Sequence, residues 1–181
     1  MNITRRQFIP AIAISGLAGA AAYYGIPGFR ELFGQGGKGG LSTLMEPGPL
    51  GEKIIGDPQA PVTIIEYASM TCPHCRTFHI NELPIIKEKY VDTGMAKIYF
   101  REFPFDNAAT SAFMLAQCAG EDKNFSMIDI LFERQAVWSR SPQILQELFK
   151  IAQLAGFTQE SFNTCLNDQE LLGKVLEIQK K

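Results

Sequence analysis

The feature that most constrains this chain is Cys72-Pro73-His74-Cys75, which follows an apolar, β-branched run from Val62 to Tyr67. A strand-like run, a break at Ala68-Ser69 and a segment able to form a helix predict that both cysteines lie in the first helical turn. The first N–H groups of a helix lack intrahelical partners, and the helix dipole adds about half a positive charge there, so a thiolate is favoured. The motif therefore predicts a reactive sulfur at the start of a helix.

Each position in the motif predicts a separate role. Cys72, at the junction of loop and helix, is expected to be the exposed nucleophile, and Cys75 the shielded resolving thiol. Pro73 suits the first helical turn, and His74, when protonated, favours the Cys72 thiolate. Glu66, six residues before Cys72, is expected to lie beneath the motif and to accept the proton of Cys75. Because a stabilised thiolate stabilises the dithiol, the corresponding disulfide is expected to be an oxidant.

Other interpretations of these residues stay open on the sequence alone. With His79 the motif becomes C-x2-C-x3-H, which is part of a zinc-site pattern, although no fourth ligand stands at a suitable spacing. The cysteine pair could also be a purely structural disulfide. Glu66 could be a solvated strand residue, and His79 is expected on the surface of the helix. Arg76 stands where a haem attachment motif requires histidine, which excludes that function.

A longer stretch of the sequence resembles a known family. G-D-P-Q-A-P-V-T-I-I-E-Y-A-S-M-T-C-P-H-C, from Gly56 to Cys75, precedes a helical pattern, then R-E-F-P-F-D and an alanine-rich helix. This order is similar to that of the DsbA-type thiol:disulfide oxidoreductases of bacterial envelopes, and the similarity extends from about Ile54 to residue 181. The resemblance implies an α/β fold, with a thioredoxin-like βαβ unit and an inserted helical domain.

The same resemblance implies a function. The implied protein is an enzyme that introduces disulfides into exported proteins, with Cys72 exchanging disulfide partners and Cys75 resolving the mixed disulfide. No metal or organic cofactor is implied, because the cysteine pair is the redox group. The implied partners are exported proteins with free thiols and a membrane reoxidase. The alternatives are a disulfide isomerase or reductase on the same fold, and a non-enzymatic envelope chaperone that carries copper or zinc.

The N-terminal residues indicate the compartment. The paired arginines of Thr4-Arg5-Arg6-Gln7-Phe8-Ile9 precede an uncharged stretch from Phe8 to Phe29 that is rich in Ala, Ile and Gly, an order that resembles a twin-arginine export signal. We expect residues 1–28 to be a signal peptide or an anchor, with residues 8–29 as the membrane segment in the second case. Residues 29–51 are expected to be a Gly/Pro-rich linker. The protein is then expected in the periplasm or cell envelope of a bacterium, and its net charge of −2 gives no indication of a nucleic-acid partner.

The folded domain is expected over residues 52–181. Lys53 to Ile55 is predicted to be an edge strand, Val62 to Tyr67 a central strand buried on both faces, and Ala96 to Phe103 a strand parallel to it. The helix between the last two, from Cys72 to about Tyr90, should be kinked at Pro84.

Helical spacing of apolar residues then predicts an inserted domain over about 106–181. Its predicted helices are 108–119, 123–138, 142–155 and a run from residue 167 onward. Ser141 and Pro142 are expected as N-cap and first helical residue, and Asn167 with Glu170 as a capping box. Seven large side chains are expected to form a core rather than a peptide groove: Phe113, Met114, Leu131, Phe132, Trp138, Leu148 and Phe149.

The four cysteines allow a second pair. Cys118 and Cys165 are predicted on two different helices, and a disulfide between them would close a loop of about 46 residues. An even number of cysteines fits two disulfides in an oxidising compartment. Two buried unpaired thiols are the alternative.

One part of the family pattern is missing after residue 163. Thioredoxin-type sheets continue behind the helical insertion with a cis-proline loop and a two-stranded hairpin, visible in sequence as Thr-Pro or Val-Pro before an apolar run. Here no proline follows Pro142, and the last residues, Glu177 to Lys181, have a charged helical pattern. We therefore expect the C-terminal strands to be missing and the truncated chain to have low activity.

Overall fold

The computed structural model describes residues 44–178. The signal peptide or anchor expected over residues 1–28, and the linker up to residue 43, lie outside the described residues. The chain divides into two units between Glu46 and Pro47, and every strand and helix named below belongs to the second unit. Within residues 44–178, no helix is both long enough and apolar enough to span a bilayer.

The sheet within residues 44–178 contains three strands: β1 (Lys53–Ile55), β2 (Val62–Ala68) and β3 (Ala96–Glu102). Their order is β1-β3-β2, with β1 antiparallel and β2 parallel to β3. The expectation that Val62 to Tyr67 forms a doubly buried central strand is wrong for this sheet. β3 is the central strand, whereas β2 lies at the edge of the described sheet with Val62 and Tyr67 exposed. The apolar run of β2 could not show whether it is a central or an edge strand, because β2 and β3 are both rich in β-branched and aromatic residues.

The two faces of the sheet have different surroundings, because alternate residues of a strand point to opposite sides. The inner face carries Ile64, Glu66, Ala68, Ile98, Phe100 and Glu102. Ile64 and Ile98 pack there against the helix that follows β2, in a small core with Leu83 and Val91. On the outer face the Arg101 guanidinium donates hydrogen bonds to the Glu52 carboxylate and to the Tyr67 hydroxyl.

The helical segment between β2 and β3 covers the inner face. It consists of α1 (Pro73–Thr77), a π-helical stretch (Phe78–Glu82), α2 (Leu83–Ile86) and a second π-helical stretch (Lys87–Val91). Around Pro84, where a kink is predicted, the hydrogen-bond pattern changes: the N–H of Leu83 donates to the carbonyl of Phe78, five residues earlier. Proline lacks an N–H and its ring clashes with the preceding turn, and the wider π-helical turn accommodates both effects.

Six helices follow β3 within the described residues: α3 (Asn107–Cys118), α4 (Glu121–Glu133), α5 (Gln135–Trp138), α6 (Ile144–Leu154), α7 (Gln159–Leu166) and α8 (Gln169–Glu177). Their apolar sides form one large core, which also includes Ala68 and Phe100 of the sheet. Of the seven side chains expected in this core, six are buried and Phe149 packs against them partly buried. The indole N–H of Trp138 donates to the carbonyl of Leu131 at 2.8 Å, so its one polar atom is satisfied.

Two predicted helix boundaries in this domain are wrong. The helix expected over residues 123–138 is divided at Arg134, whose backbone (φ −93°, ψ 7°) lies outside the helical region and ends α4. The helix expected from Pro142 begins instead at Ile144, with Gln143 as its N-cap. Apolar periodicity continues across both positions, and a local change of backbone angle does not alter it.

The capping prediction for the last helix is also wrong. Asp168, not Asn167, is the N-cap of α8, and its carboxylate accepts a hydrogen bond from the N–H of Leu171. A capping box is present one helix earlier, where Thr158 and Ser161 each accept a hydrogen bond from the other's backbone N–H. Asn and Asp have similar capping preferences, so adjacent candidates cannot be separated from sequence alone.

A disulfide joins Cys118, the last residue of α3, to Cys165 in α7. The two residues are 47 positions apart in sequence and their Cα atoms are 6.1 Å apart. The bond therefore links α7 covalently to the end of α3.

Replacing both of these cysteines by alanine should lower the free energy of unfolding by about 2–4 kcal/mol, because the unfolded chain regains the freedom of a long closed loop. Urea denaturation of the Cys118→Ala/Cys165→Ala variant and of the wild type, both with Cys72 and Cys75 alkylated, measures the difference. Equal stability of the two proteins would show that the bond contributes nothing to the fold. A non-reduced peptide digest of the wild type is the control for the pairing.

Candidate active site

The site begins where β2 gives way to α1. Cys72 is the N-cap residue of α1 with an extended backbone (φ −78°, ψ 117°), and Pro73 is the first helical residue. The Cys72 Sγ atom accepts a hydrogen bond from the N–H of Cys75 at 3.3 Å. Both thiols are free and partly exposed, and His74 is exposed between them. The helix thus starts one residue after the predicted Cys72, because a proline in the first turn is a strong local signal.

Cys72 is placed so that its thiolate is stabilised. Burial alone would raise the pKa of Cys72, but hydrogen bonds from the Cys75 thiol and from the backbone N–H groups of Cys75 and His74 outweigh it and lower the pKa. His74 contributes to this effect through its main chain. The hydrogen bonds favour the anion because a thiolate accepts them more strongly than a neutral thiol does.

Cys75 has the opposite tendency. Burial raises the pKa of its thiol to about 11, and donation of its proton to Cys72 and the negative charges of Cys72 and Glu66 act in the same direction. Cys72 is therefore the more acidic thiol of the pair, and at neutral pH Cys75 keeps its proton until a base removes it. This asymmetry is what a two-step exchange of disulfides requires.

Glu66 lies on the inner face of β2, beneath the helix that carries the cysteines. Its Oε2 atom is buried and has no hydrogen-bond partner within residues 44–178. Burial raises the pKa of this carboxyl to about 7, and the proximity of His79 partly opposes the rise. The carboxyl also acts electrostatically on Cys75. A group with a pKa near neutrality at this position can give a proton to the Cys75 thiolate or take one from the thiol.

His79 is not on the helix surface, so that expectation is wrong. The residue is buried, its Nε2 atom lies 2.7 Å from the Asp129 Oδ1 atom of α4, and its ring centroid is 4.6 Å from that of Phe132. A zinc site built from Cys72, Cys75 and His79 does not fit this orientation. Among the described residues, no group of three His, Cys, Asp or Glu side chains is arranged to hold a metal ion.

The helical domain holds the active-site loop in place through Gln135, which the sequence did not indicate. This buried side chain donates hydrogen bonds to the carbonyls of Met70 and Cys72, at 2.8 and 2.9 Å. Arg76 adds a second connection by donating to the carbonyl of Phe132 at 3.0 Å. A glutamine in an otherwise apolar helical stripe was the available signal, but its partners are more than sixty residues away in sequence.

A third connection joins the loop to the segment that follows β3. The Thr71 hydroxyl donates to Asp106 Oδ2 at 2.7 Å, while Oδ1 of the same carboxylate accepts from the N–H of Ala109 and caps α3. The hydroxyl of Ser69 accepts from the N–H of Phe105 at 3.2 Å. The residues directly before Cys72 are therefore hydrogen-bonded both to the segment after β3 and to the helical domain.

The order β2, loop, dithiol, helix and β3 defines a class of protein: a thioredoxin fold with a redox pair at a helix N-terminus and a helical insertion. A family profile described as Thioredoxin matches residues 50–181, and the chain belongs to that family. Among solved structures, alpha-DsbA1 of Wolbachia pipientis is 38% identical with a TM-score of 0.69, and the match covers 76% of this chain and 70% of that chain. The DsbA-type resemblance and the predicted fold class are thereby confirmed.

More distant matches agree on the fold. BdbD of Bacillus subtilis is 21% identical with a TM-score of 0.63, and the match covers 71% of this chain and 72% of the BdbD chain. This similarity supports the fold alone. A Rickettsia bellii protein provisionally named a protein-disulfide oxidoreductase is 34% identical over 121 residues, which are 66% of this chain and 47% of that protein. The chain thus spans about half the length of the Rickettsia relatives that it matches.

Alkylation should reveal the acidity of Cys72. With its pKa lowered by hydrogen bonds, Cys72 should react with iodoacetamide at pH values well below about 8.5, where an ordinary cysteine is half ionised. Rates measured by mass spectrometry across a pH series give the midpoint. In a Cys72→Ser variant the remaining thiol, Cys75, should react only at much higher pH, and an ordinary midpoint for Cys72 in the wild type would contradict this account.

Glu66 should make stability depend on pH. Its pKa of about 7 in the folded protein exceeds the ordinary value of 4.5, so the protonated carboxyl is favoured by folding and its contribution is complete below pH 4.5. That contribution is lost as the pH rises through 7. At pH 8 a Glu66→Gln variant of the reduced protein should therefore gain up to about 3 kcal/mol in free energy of unfolding, and at pH 4 almost nothing. Urea denaturation of the variant and the wild type at both pH values measures this difference. Glu82→Gln, which removes an exposed carboxylate of the same helical segment, is the control and should show no such dependence on pH.

Proposed function

We propose that this protein is a thiol:disulfide oxidoreductase that oxidises the thiols of exported proteins with a disulfide formed between Cys72 and Cys75. The observation that carries the proposal is the geometry of the pair, in which Cys72 caps the helix and receives hydrogen bonds while Cys75 is the more deeply buried thiol and keeps its proton. Stabilising the Cys72 thiolate stabilises the dithiol relative to the disulfide, so the disulfide is a good electron acceptor. The names of the Rickettsia relatives, which refer to protein-disulfide oxidoreductases, support the same class.

The reaction follows from the two acidities. A substrate thiolate attacks Cys72 Sγ, the Cys72–Cys75 bond breaks, and the electron pair goes to Cys75, which takes a proton from Glu66. A second thiolate of the substrate then attacks the substrate sulfur of the mixed disulfide, and Cys72 leaves as the stabilised thiolate. The substrate loses two electrons and gains a disulfide, while the protein keeps the electrons as a dithiol. In this direction Glu66 gives a proton, and it accepts one from Cys75 when the pair is reoxidised.

Partners and compartment belong to the same proposal. The proposed substrates are exported proteins with free thiols, and a membrane reoxidase would have to accept the two electrons from the dithiol after each cycle. The proposed place of action is the bacterial envelope, which the twin-arginine pattern around Arg5 and Arg6 supports.

Trapping the intermediate separates the two cysteines. A Cys75→Ser variant whose Cys72 has first been converted with DTNB to its mixed disulfide should exchange with a reduced single-cysteine peptide, release the coloured thiolate and keep the peptide on Cys72, because no resolving thiol is left, whereas Cys72→Ser treated in the same way should form almost none. Non-reducing electrophoresis and intact-mass measurement show the adduct. Equal adduct formation by both variants would contradict the assignment of roles.

The direction of the reaction is decided by the redox potential of the pair, measured by equilibration with glutathione. An oxidase requires a potential well above that of thioredoxin, which is about −270 mV. A value close to that of thioredoxin would favour a reductase instead. Stoichiometric binding of copper or zinc by the purified protein, without exchange activity, would favour a metal-carrying chaperone.

A further inference from the structure

The buried face between the sheet and the active-site helix holds two polar atoms that have no hydrogen-bond partner within residues 44–178: Glu66 Oε2 and His79 Nδ1. Both side chains adjoin the same residue. Glu66 lies beside Phe100 in the register of β2 and β3, and the His79 ring centroid is 6.4 Å from the Phe100 ring. His79 also acts electrostatically on Glu66. The carboxyl and the imidazole therefore share one buried region, with an open hydrogen-bonding position on each.

The other side of the imidazole faces outward. Its Nε2 atom is hydrogen-bonded to Asp129 Oδ1 at 2.7 Å, and the side chain of His79 is 5% exposed whereas that of Asp129 is 60% exposed. Both residues line a surface cavity of about 370 Å³, together with Lys87, Asp92 and Glu133. One nitrogen of His79 thus belongs to the interior, and the other contacts a carboxylate that is open to water.

We propose that His79 and Asp129 form a proton relay that connects Glu66 with solvent. The inference rests on the proposed function, in which Glu66 must lose or regain a proton in every cycle while its Oε2 atom is shielded from water. An imidazole can accept a proton at one nitrogen while it releases another from the opposite nitrogen. His79 and Asp129 are therefore positioning and relay residues, and neither contacts the reacting sulfurs.

The proton balance of the relay is simple. When Cys75 attacks a mixed disulfide at Cys72, its proton passes to the Glu66 carboxylate and then, through a water molecule that fills the two open hydrogen-bonding positions, to His79 Nδ1, while the Nε2 proton passes to Asp129 and on to solvent. Only S–H, O–H and N–H bonds change in this transfer, and the electrons move only between sulfur atoms. When the disulfide is opened by substrate, the same groups carry a proton inward.

Other titratable groups surround this route. The helical segment contributes Cys72, Cys75 and Lys87, β3 contributes Glu102, and Asp92 and Glu133 adjoin the cavity. Glu102 is bonded to the side-chain amide of Gln117, so its carboxylate already has a partner. Asp129 differs from Asp92 and Glu133 because its carboxylate is hydrogen-bonded to Nε2 of the His79 ring.

The relay can be tested on the attack by Cys75. Reduced protein mixed with the aromatic disulfide DTNB releases one coloured thiolate when Cys72 reacts and a second when Cys75 resolves the mixed disulfide, so the second phase reports the proton-coupled step. We expect Asp129→Asn to slow the second phase about three- to tenfold and His79→Gln more than tenfold, with the first phase unchanged. Glu133→Gln, an exposed carboxylate at the same cavity, is the matched control and should leave both phases unchanged.

Chemical rescue distinguishes a relay from a structural role. In a His79→Ala variant the second phase should accelerate with added imidazole, because the small base enters the space of the lost ring beside the cavity, whereas the wild-type rate should not respond. If His79 variants do not fold, as judged by circular dichroism, the comparison of Asp129→Asn with Glu133→Gln decides alone. Equal second phases in those two variants, at all buffer concentrations, would overturn the relay. A wild type without a second phase would instead overturn the proposed function.

Discussion

The structure depends on the stabilisation of one sulfur, the Sγ of Cys72, by donors at the beginning of α1. The N–H of Cys75 supplies one hydrogen bond, and the thiol of Cys75 and the N–H of His74 contribute further stabilisation. Pro73 suits the first helical turn, where its missing N–H would have had no intrahelical partner. This arrangement needs the strand before it to end at Ala68 and the helix after it to begin at Pro73. Most other contacts near the site serve to keep those two ends where they are.

The helical domain supplies several of the contacts that hold the active-site loop in position. Gln135 fixes the carbonyls of Met70 and Cys72, and Arg76 reaches back to the carbonyl of Phe132, so the loop is bound to α4 and α5 rather than only to its own strand and helix. Asp129 holds His79 from the same direction. The insertion is therefore part of the site, because it supplies contacts that the βαβ unit does not contain.

Burial of a carboxyl gives the site its proton chemistry at a cost in stability. Glu66 occupies a position on the inner face where an apolar residue would pack as Ile64 does, and its charge is poorly solvated there. The same desolvation brings the pKa of Glu66 to about 7, well below that of Cys75 at about 11. The proposed role of Glu66 as proton donor and acceptor near neutral pH thus depends on an unfavourable environment, whereas on the outer face of the sheet the Glu52 carboxylate is paired with Arg101.

The amino-acid sequence by itself determined the features that depend on neighbouring residues. The position of Cys72 at the junction of loop and helix, Pro73 in the first helical turn, the alternation that places Glu66 beneath the motif, and the helical spacing after residue 106 all follow from local propensity and periodicity. Tertiary structure decided the rest: the edge position of β2, the burial of His79, and the role of Gln135. In each of these the deciding partner is far away in the chain, some 50 residues for His79 and Asp129 and more than 60 for Gln135 and the loop, and local patterns do not encode which distant segment will pack against them.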